Sequence, residues 1–235
     1  MAEEASALAL AIDLVISQDA DLFEIIVLSL KVSLSAALFA CIIGFSLGAL
    51  IATNRFLGRP ILIVVINALM GLPPVVVGLI VYLYLSRSGP LGFLGLLYTP
   101  TAMIIAQTLL ITPIITALSR QLLEDMYSEY EEQFRAFGLT RRQTVSALLW
   151  DARLSLITVA LAGFGRAVAE VGAVMIVGGN IDHLTRVMTT AIALETSKGN
   201  LALAMALGLV LMSISLAINA LAQSLRLTQA RSSYA

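Results

Sequence analysis

Arg166 and Glu170 lie four residues apart in LAGFGRAVAEVGAVMIVGGN, a run that is otherwise apolar. On a helix that spacing puts both on one face. A lone charge at mid-bilayer costs at least about 2.5 kcal/mol, so the two are expected to pair. Two readings are open: a gate or anion path in which Arg166 attracts the anion, or a salt bridge that locks this helix to a neighbour, with Lys31 a candidate third member. Other chemistry is thinly supplied. One cysteine, Cys41, excludes an intrachain disulfide, and one histidine, His183, argues against a protein-built zinc site. An intramembrane enzyme would need a nucleophile–base pair or a carboxylate dyad. The histidine falls beside Asp182 in a loop, and Glu170 has no evident acidic partner. The chain has no G-x-x-x-x-G-K-[ST], so it cannot cradle ATP phosphates by that device.

Three prolines interrupt apolar runs. Pro73 and Pro74 stand in GLPPVVVG, and Pro113 in ITPII. A proline removes a backbone donor and bends a helix, which lipid tolerates only where protein or a water-filled cavity meets the freed carbonyls. Either site alone reads equally as an ordinary kink or as a break with a function. Together they fit the broken helices that line a substrate path.

The elements that must position these residues follow from composition. Of 235 residues, 59% are hydrophobic and 12% charged, about half the charge of a soluble domain. With a net charge of −1, no global field draws the chain to nucleic acid. A spanning helix needs roughly 20 predominantly apolar residues, and five stretches qualify: about Phe23–Thr53, interrupted by Lys31, then Ile61–Leu85, Thr101–Leu118, Leu154–Val177 and Leu201–Ala222. Ala7–Ser17 is too short and contains Asp13; it reads as an interfacial amphipathic helix. Met1 is followed by Glu3 and Glu4, so no secretory signal is expected. Arg55, Arg59, Arg120, Arg135, Arg141, Arg142, Arg153, Arg226 and Arg231 fall on one side of such a chain, and only Arg87, Arg186 and Lys198 on the other. The excess of basic residues marks the cytoplasmic side, so five spans with the N-terminus out and the C-terminus in satisfy every segment. The expectation is an all-α polytopic membrane protein with one domain, residues 1–235, led by an interfacial segment over 1–20. Gly44-x-x-x-Gly48, with Gly163, Gly165, Gly172, Gly178 and Gly179, permits close helix contact.

YSEYEEQFRAFGLTRRQT, Tyr127 to Thr144, is the wettest part of the chain. Tyr130, Phe134 and Phe137 follow helical spacing and predict a shared face, with Glu131, Glu132 and Arg135 on the others. Gly138 sits where a helix stop is expected. T-R-R-Q from Thr140 predicts a capping box with Gln143. The segment reads as a short amphipathic helix, a glycine turn and a second helix leading to the fourth span. Its mixed charge and its place between spans disfavour DNA binding, and an aromatic-faced knob suits a groove on a cytoplasmic partner.

This arrangement resembles the permease subunits of ABC importers, whose cytoplasmic loop carries E-A-A, three residues, glycine, nine residues and I-x-L-P. Aligned on Gly138, the glutamate falls on Glu132, and Leu148 replaces the isoleucine. Gln133, Phe134 and Asp151 stand where the consensus has two alanines and the proline. The run from Trp150 to Asn200 looks like tungstate uptake permeases, relatives of the molybdate and sulfate permeases; GRAVAEVGAVMIVGGNI and TRVMTTAIALETSKGN carry that likeness.

The resemblance implies a type I ABC importer permease fold in the inner membrane of a prokaryote. It implies a homodimeric pore, a cytoplasmic ATPase homodimer that holds ATP and magnesium, and an extracytoplasmic oxyanion-binding protein. No cofactor is expected on this chain. Residues 127–150 would be the coupling loop, with Tyr130, Glu132, Phe134, Arg135, Phe137, Gly138 and Arg141 meeting the ATPase. A tetrahedral dianion suits guanidinium and hydroxyl groups. The candidate path is therefore Pro73, Pro74, Pro113, Arg166, Glu170, Thr185, Arg186, Thr189 and Thr190. The segment holding the last four also reads as an amphipathic outer helix that packs the dimer or meets the binding protein. A molybdate or sulfate permease, and a membrane scaffold without transport, are the alternatives.

Overall fold

The computed structural model describes residues 10–11, 14–17 and 20–232. Of the interfacial helix expected at Ala7–Ser17, residues 10–11 and 14–16 are helical and 17 is a turn, while 7–9 and 12–13 lie outside the described residues, which contain helices and turns but no strand. Helix α1 spans Ala20–Thr53, α2 Arg59–Met70 and α3 Pro74–Leu85. After a 3-10 turn at Gly92–Leu94 come α4 (Pro100–Ala136), α5 (Arg141–Asp151), α6 (Arg153–Val168), α7 (Gly172–Gly178), α8 (Met188–Lys198) and α9 (Leu201–Ser232).

Among the described residues, three helices are long and apolar enough to cross a membrane: α1, α4 and α9 over Leu201–Leu225. Two bent pairs, α2 with α3 and α5 with α6, bring the total to as many as five. The second span expected from sequence is two helices of 12 residues, not one kinked rod. Pro73 is extended, with φ −62° and ψ 125°, because the ring of Pro74 drives the residue before it out of the helical region. Pro74 then opens α3, where its missing N–H is no loss.

Three further expectations are corrected. Pro113 does not break its helix, which runs through it for 37 residues. The separate amphipathic helix expected near Tyr127 is the end of that same α4, for no glycine or proline intervenes between Pro113 and Gly138. At 1.5 Å per residue α4 is about 55 Å long, well beyond a hydrocarbon core of roughly 30 Å. The fourth span is interrupted at residues 169–171, between α6 and α7.

The chain divides into two compact units. The first comprises residues 1–36, 73–107 and 165–217. Its core joins Val32, Val81, Leu85, Met103, Val174 and Val177. Gly78 lets α3 meet α7 backbone to backbone, since a Cβ there would lie 2.8 Å from the Cα of Ala173. The second unit comprises residues 37–72, 108–164 and 218–235. Ala49, Ala52, Leu123, Leu148, Ala152 and Leu156 form a core there. Gly44 and Gly48 bring α1 onto α4 as their spacing predicts: a Cβ on Gly48 would sit 2.2 Å from Ser119 Oγ, and that hydroxyl donates to the Gly44 carbonyl at 3.2 Å. Glu124 of α4 binds Arg59 at 2.6 Å and also pairs with Arg120.

Candidate functional site

In the second unit, the charged segment ends α4 and begins α5. Phe134 turns inward, against the core of Leu123 and Leu148. Tyr127 stacks on it with ring centroids 6.4 Å apart, and Tyr130 lies at 6.0 Å. Phe137 does not share their face. Helix α4 stops at Ala136, so Phe137 lies past the last helical residue and is 79% exposed.

Gly138 has φ +64°. The Leu139 N–H donates to the Phe134 carbonyl at 3.1 Å and the Gly138 N–H to that of Arg135 at 3.0 Å. These are the paired bonds of a Schellman stop, which needs a left-handed residue between them. Gln143 reaches back to accept the Thr140 N–H at 2.9 Å, as the T-R-R-Q pattern predicts.

The glycine turn thereby ends α4 and lets α5 begin at Arg141, with Leu148 packed in the same core as Leu123. Glu131 holds Arg135 at 2.6 Å and reaches Arg55 at 3.8 Å. Glu132 and Arg141 are exposed. A cleft of about 230 Å³ is lined by Thr53, Tyr127, Glu131, Arg135, Arg141 and Thr144. Sequence reasoning passed over Trp150, which is 69% exposed. The Arg153 guanidinium lies 4.8 Å from its ring centroid and donates to its carbonyl at 2.7 Å. A lone tryptophan three residues before an arginine was the available signal.

In the first unit, Arg166 and Glu170 do pair, Nη1 to Oε2 at 2.8 Å. They do not share a helix: Glu170 stands in the break after α6. Glu170 is 3% exposed, and its Oε1 accepts the Ala173 N–H at 3.1 Å, so it caps α7 as well. The Arg166 side chain keeps 38% of its surface exposed. Lys31 is exposed on α1 and forms no ion pair among the described residues.

The hydroxyls expected on an anion route are spent on backbone. Thr185 donates to the Gly178 carbonyl at 2.6 Å and accepts the Ile181 N–H at 2.9 Å. Thr189 donates to the Glu170 carbonyl at 2.7 Å, and Thr190 accepts the Val187 N–H at 3.2 Å. Arg186 is paired with Asp182 at 2.6 Å. Pro73 and Pro74 sit at the α2–α3 break, and Pro113 lies within α4.

Two polar residues not singled out from sequence join this unit. Gln107 of α4, 3% exposed, donates to the Ala167 carbonyl at 3.0 Å. Glu195, also buried, takes Lys198 at 2.8 Å and Asn200 at 3.0 Å; the Lys198 bond, opposed by burial, holds its carboxyl below the usual range. His183 binds Glu24 at 2.8 Å. That hydrogen bond and the Glu24 charge raise the imidazole pKa.

Residues 42–227 match the family described as binding-protein-dependent transport system inner membrane component. The chain belongs to this family. It is therefore a transporter component and a multi-pass inner-membrane protein of a prokaryote. As a binding-protein-dependent transport system inner membrane component, it has relatives that align over most of its length. The tungstate uptake system permease protein TupB of Peptoclostridium acidaminophilum is 44% identical over 92% of this chain and 95% of its own. A probable anion ABC transporter permease protein of Haloferax volcanii is 39% identical over 87% and 90%. The sulfate transport system permease protein CysT of Salmonella typhimurium is 30% identical over 81% and 73%.

Proposed function

We propose that this chain is the transmembrane subunit of an ATP-driven ABC importer whose cargo is tungstate. The observation that carries the reading is its 44% identity, over 92% of the chain, to a tungstate uptake permease. ATP and magnesium belong to a separate cytoplasmic ATPase homodimer, and this chain binds no cofactor. An extracytoplasmic binding protein delivers the oxyanion to a pore formed by two copies. The N-terminus lies outside and residues 127–150 face the cytoplasm.

ATPase closure pulls on the Schellman turn through Phe137, Glu132, Arg135 and Arg141, all of them exposed. Phe134 and Tyr130 transmit the pull because their rings pack together and Phe134 is seated in the core. In the membrane, Arg166 receives the anion: its guanidinium is partly exposed while Glu170 holds it from the buried side. A charge-assisted hydrogen bond of this type also suits the tetrahedral dianion. Thr185, Thr189 and Thr190 shape the route rather than line it, since each hydroxyl already holds a backbone group.

Molybdate or sulfate as cargo is the second reading. It is favoured by the sulfate permease relative and by the molybdenum transport system permease protein ModB of Escherichia coli, 28% identical over 72% of this chain. The test is oxyanion-dependent ATP hydrolysis by the complex with its ATPase and binding protein in liposomes. Tungstate should stimulate at the lowest concentration. Stimulation at lower concentration by molybdate or sulfate would overturn the cargo, and no stimulation by any of them would overturn the importer reading.

A further inference from the structure

We propose that the break between α6 and α7 is a hinge whose setting is held by Gln107, a positioning residue that competes with continuation of the helix. In an uninterrupted helix the Ala167 carbonyl would accept the Val171 N–H four residues on. Here it accepts the Glu170 N–H at 3.1 Å and Gln107 Nε2 at 3.0 Å. Gln107 and the Glu170 N–H thus take both lone pairs of that oxygen, so the Val171 N–H of a continuous helix would find none free. Thr189, from α8, makes the second clamp on the Glu170 carbonyl at 2.7 Å. The Glu170 carboxylate takes Ala173 N–H on one oxygen and Arg166 on the other.

No proline lies in residues 169–171. A proline break is permanent because the ring removes the donor, whereas a break held by side-chain hydrogen bonds is undone by rotating them. Val171 has φ −116° and ψ −54°, so helical geometry lies about 50° away in φ. The other end of the Gln107 amide, Oε1, is buried and has no partner among the described residues. A bare buried acceptor is a penalty that a second arrangement of the amide can relieve. Closing the break would also take the Ala173 N–H from Glu170 and so reposition Arg166. Gln107 therefore governs how the guanidinium is presented to the cargo.

This inference rests on the transport reading for its two nucleotide states but has its own readout. The assembled complex in liposomes, in a Cys41→Ser background, carries Ala169→Cys, an exposed position within the break. Maleimide labelling is compared without nucleotide and after vanadate trapping with ATP. The rates should differ by about 5-fold or more, and in Gln107→Leu they should converge while ATPase assembly is retained. Thr189→Val should narrow the difference in the same direction, and it serves if the leucine variant does not assemble. Equal rates in the two nucleotide states, or a difference untouched by both variants, overturns the hinge. Oxyanion stimulation of the Cys41→Ser complex is measured beside it. If no oxyanion stimulates, the importer reading fails; the hinge is then judged by nucleotide-free labelling, and rates unchanged in both variants overturn it.

Discussion

Gly138→Ala isolates the backbone of the Schellman turn from its surroundings. A Cβ at Gly138 would meet nothing within 4 Å, so no steric clash contributes. The entire penalty is the left-handed φ of +64°, which costs an L-residue roughly 1–2 kcal/mol. Alanine also restricts the unfolded chain, offsetting about 0.4–1 kcal/mol of that strain. A net loss of about 1 kcal/mol remains. For a chain of this size it corresponds to a fall of about 2–4 °C in the unfolding midpoint, read on the purified protein in detergent. Asparagine tolerates the left-handed region better and should lose less than alanine. Valine, β-branched, should lose more than either. The order Asn, Ala, Val is the signature of a conformational penalty. An alanine variant at the wild-type midpoint, or an asparagine variant worse than alanine, would refute the reasoning. Oxyanion-stimulated ATP hydrolysis should fall across the series in the same order, because the turn aims α5 and Phe137.

Gly48→Ala should destabilise by about 1–3 kcal/mol through overpacking, with partial recovery when Ser119→Ala removes the nearest atom; full recovery would contradict the 3.0 Å approach to the Arg120 backbone nitrogen. Arg166→Ala should lower oxyanion uptake about 10- to 100-fold, the worth of one hydrogen bond to a charged group, with Arg166→Lys in between; normal uptake at normal expression removes Arg166 from the path. The raised pKa of His183 has a definite sign. Its pair with Glu24 contributes fully below the imidazole's ordinary pKa near 6.5 and fades as pH rises through the higher folded value. The unfolding midpoint should drop across that window, and the difference between wild type and His183→Ala should vanish above it. A pH profile identical in the two proteins defeats this assignment.

Local patterns in the sequence translated faithfully into structure. Apolar length marked α1 and α9, the spacing of Gly44 and Gly48 marked the α1–α4 crossing, and Gly138 with Thr140 and Gln143 marked the turn. Each of these signals sits within a few residues of its effect. The break at residues 169–171 has no such signal, since its partners Gln107 and Thr189 are 60 and 19 residues from the groups they bind. Arg166 and Glu170 were legible as a pair but not as a pair across a helix end. Continuity of α4 was hidden by its change of polarity after Leu118, which suggested a boundary where the backbone has none. Helical spacing grouped Phe137 with Phe134, and the stop at Ala136 separated them. The hydroxyls of Thr185, Thr189 and Thr190 were visible as residue types, but their donors and acceptors depend on a loop that periodicity does not describe.

Residues 59–85 carry a consequence for how the protein reaches the membrane. Helices α2 and α3 each have 12 residues, about 18 Å of rise against a core of roughly 30 Å. Neither half alone reaches across that core, so the two can cross it only as one stretch. The extended backbone at Pro73 is then a feature acquired after that crossing, once neighbouring helices are present to satisfy the backbone groups it exposes. The same residues therefore meet two requirements, overall apolarity for entry into lipid and a bend in the assembled protein.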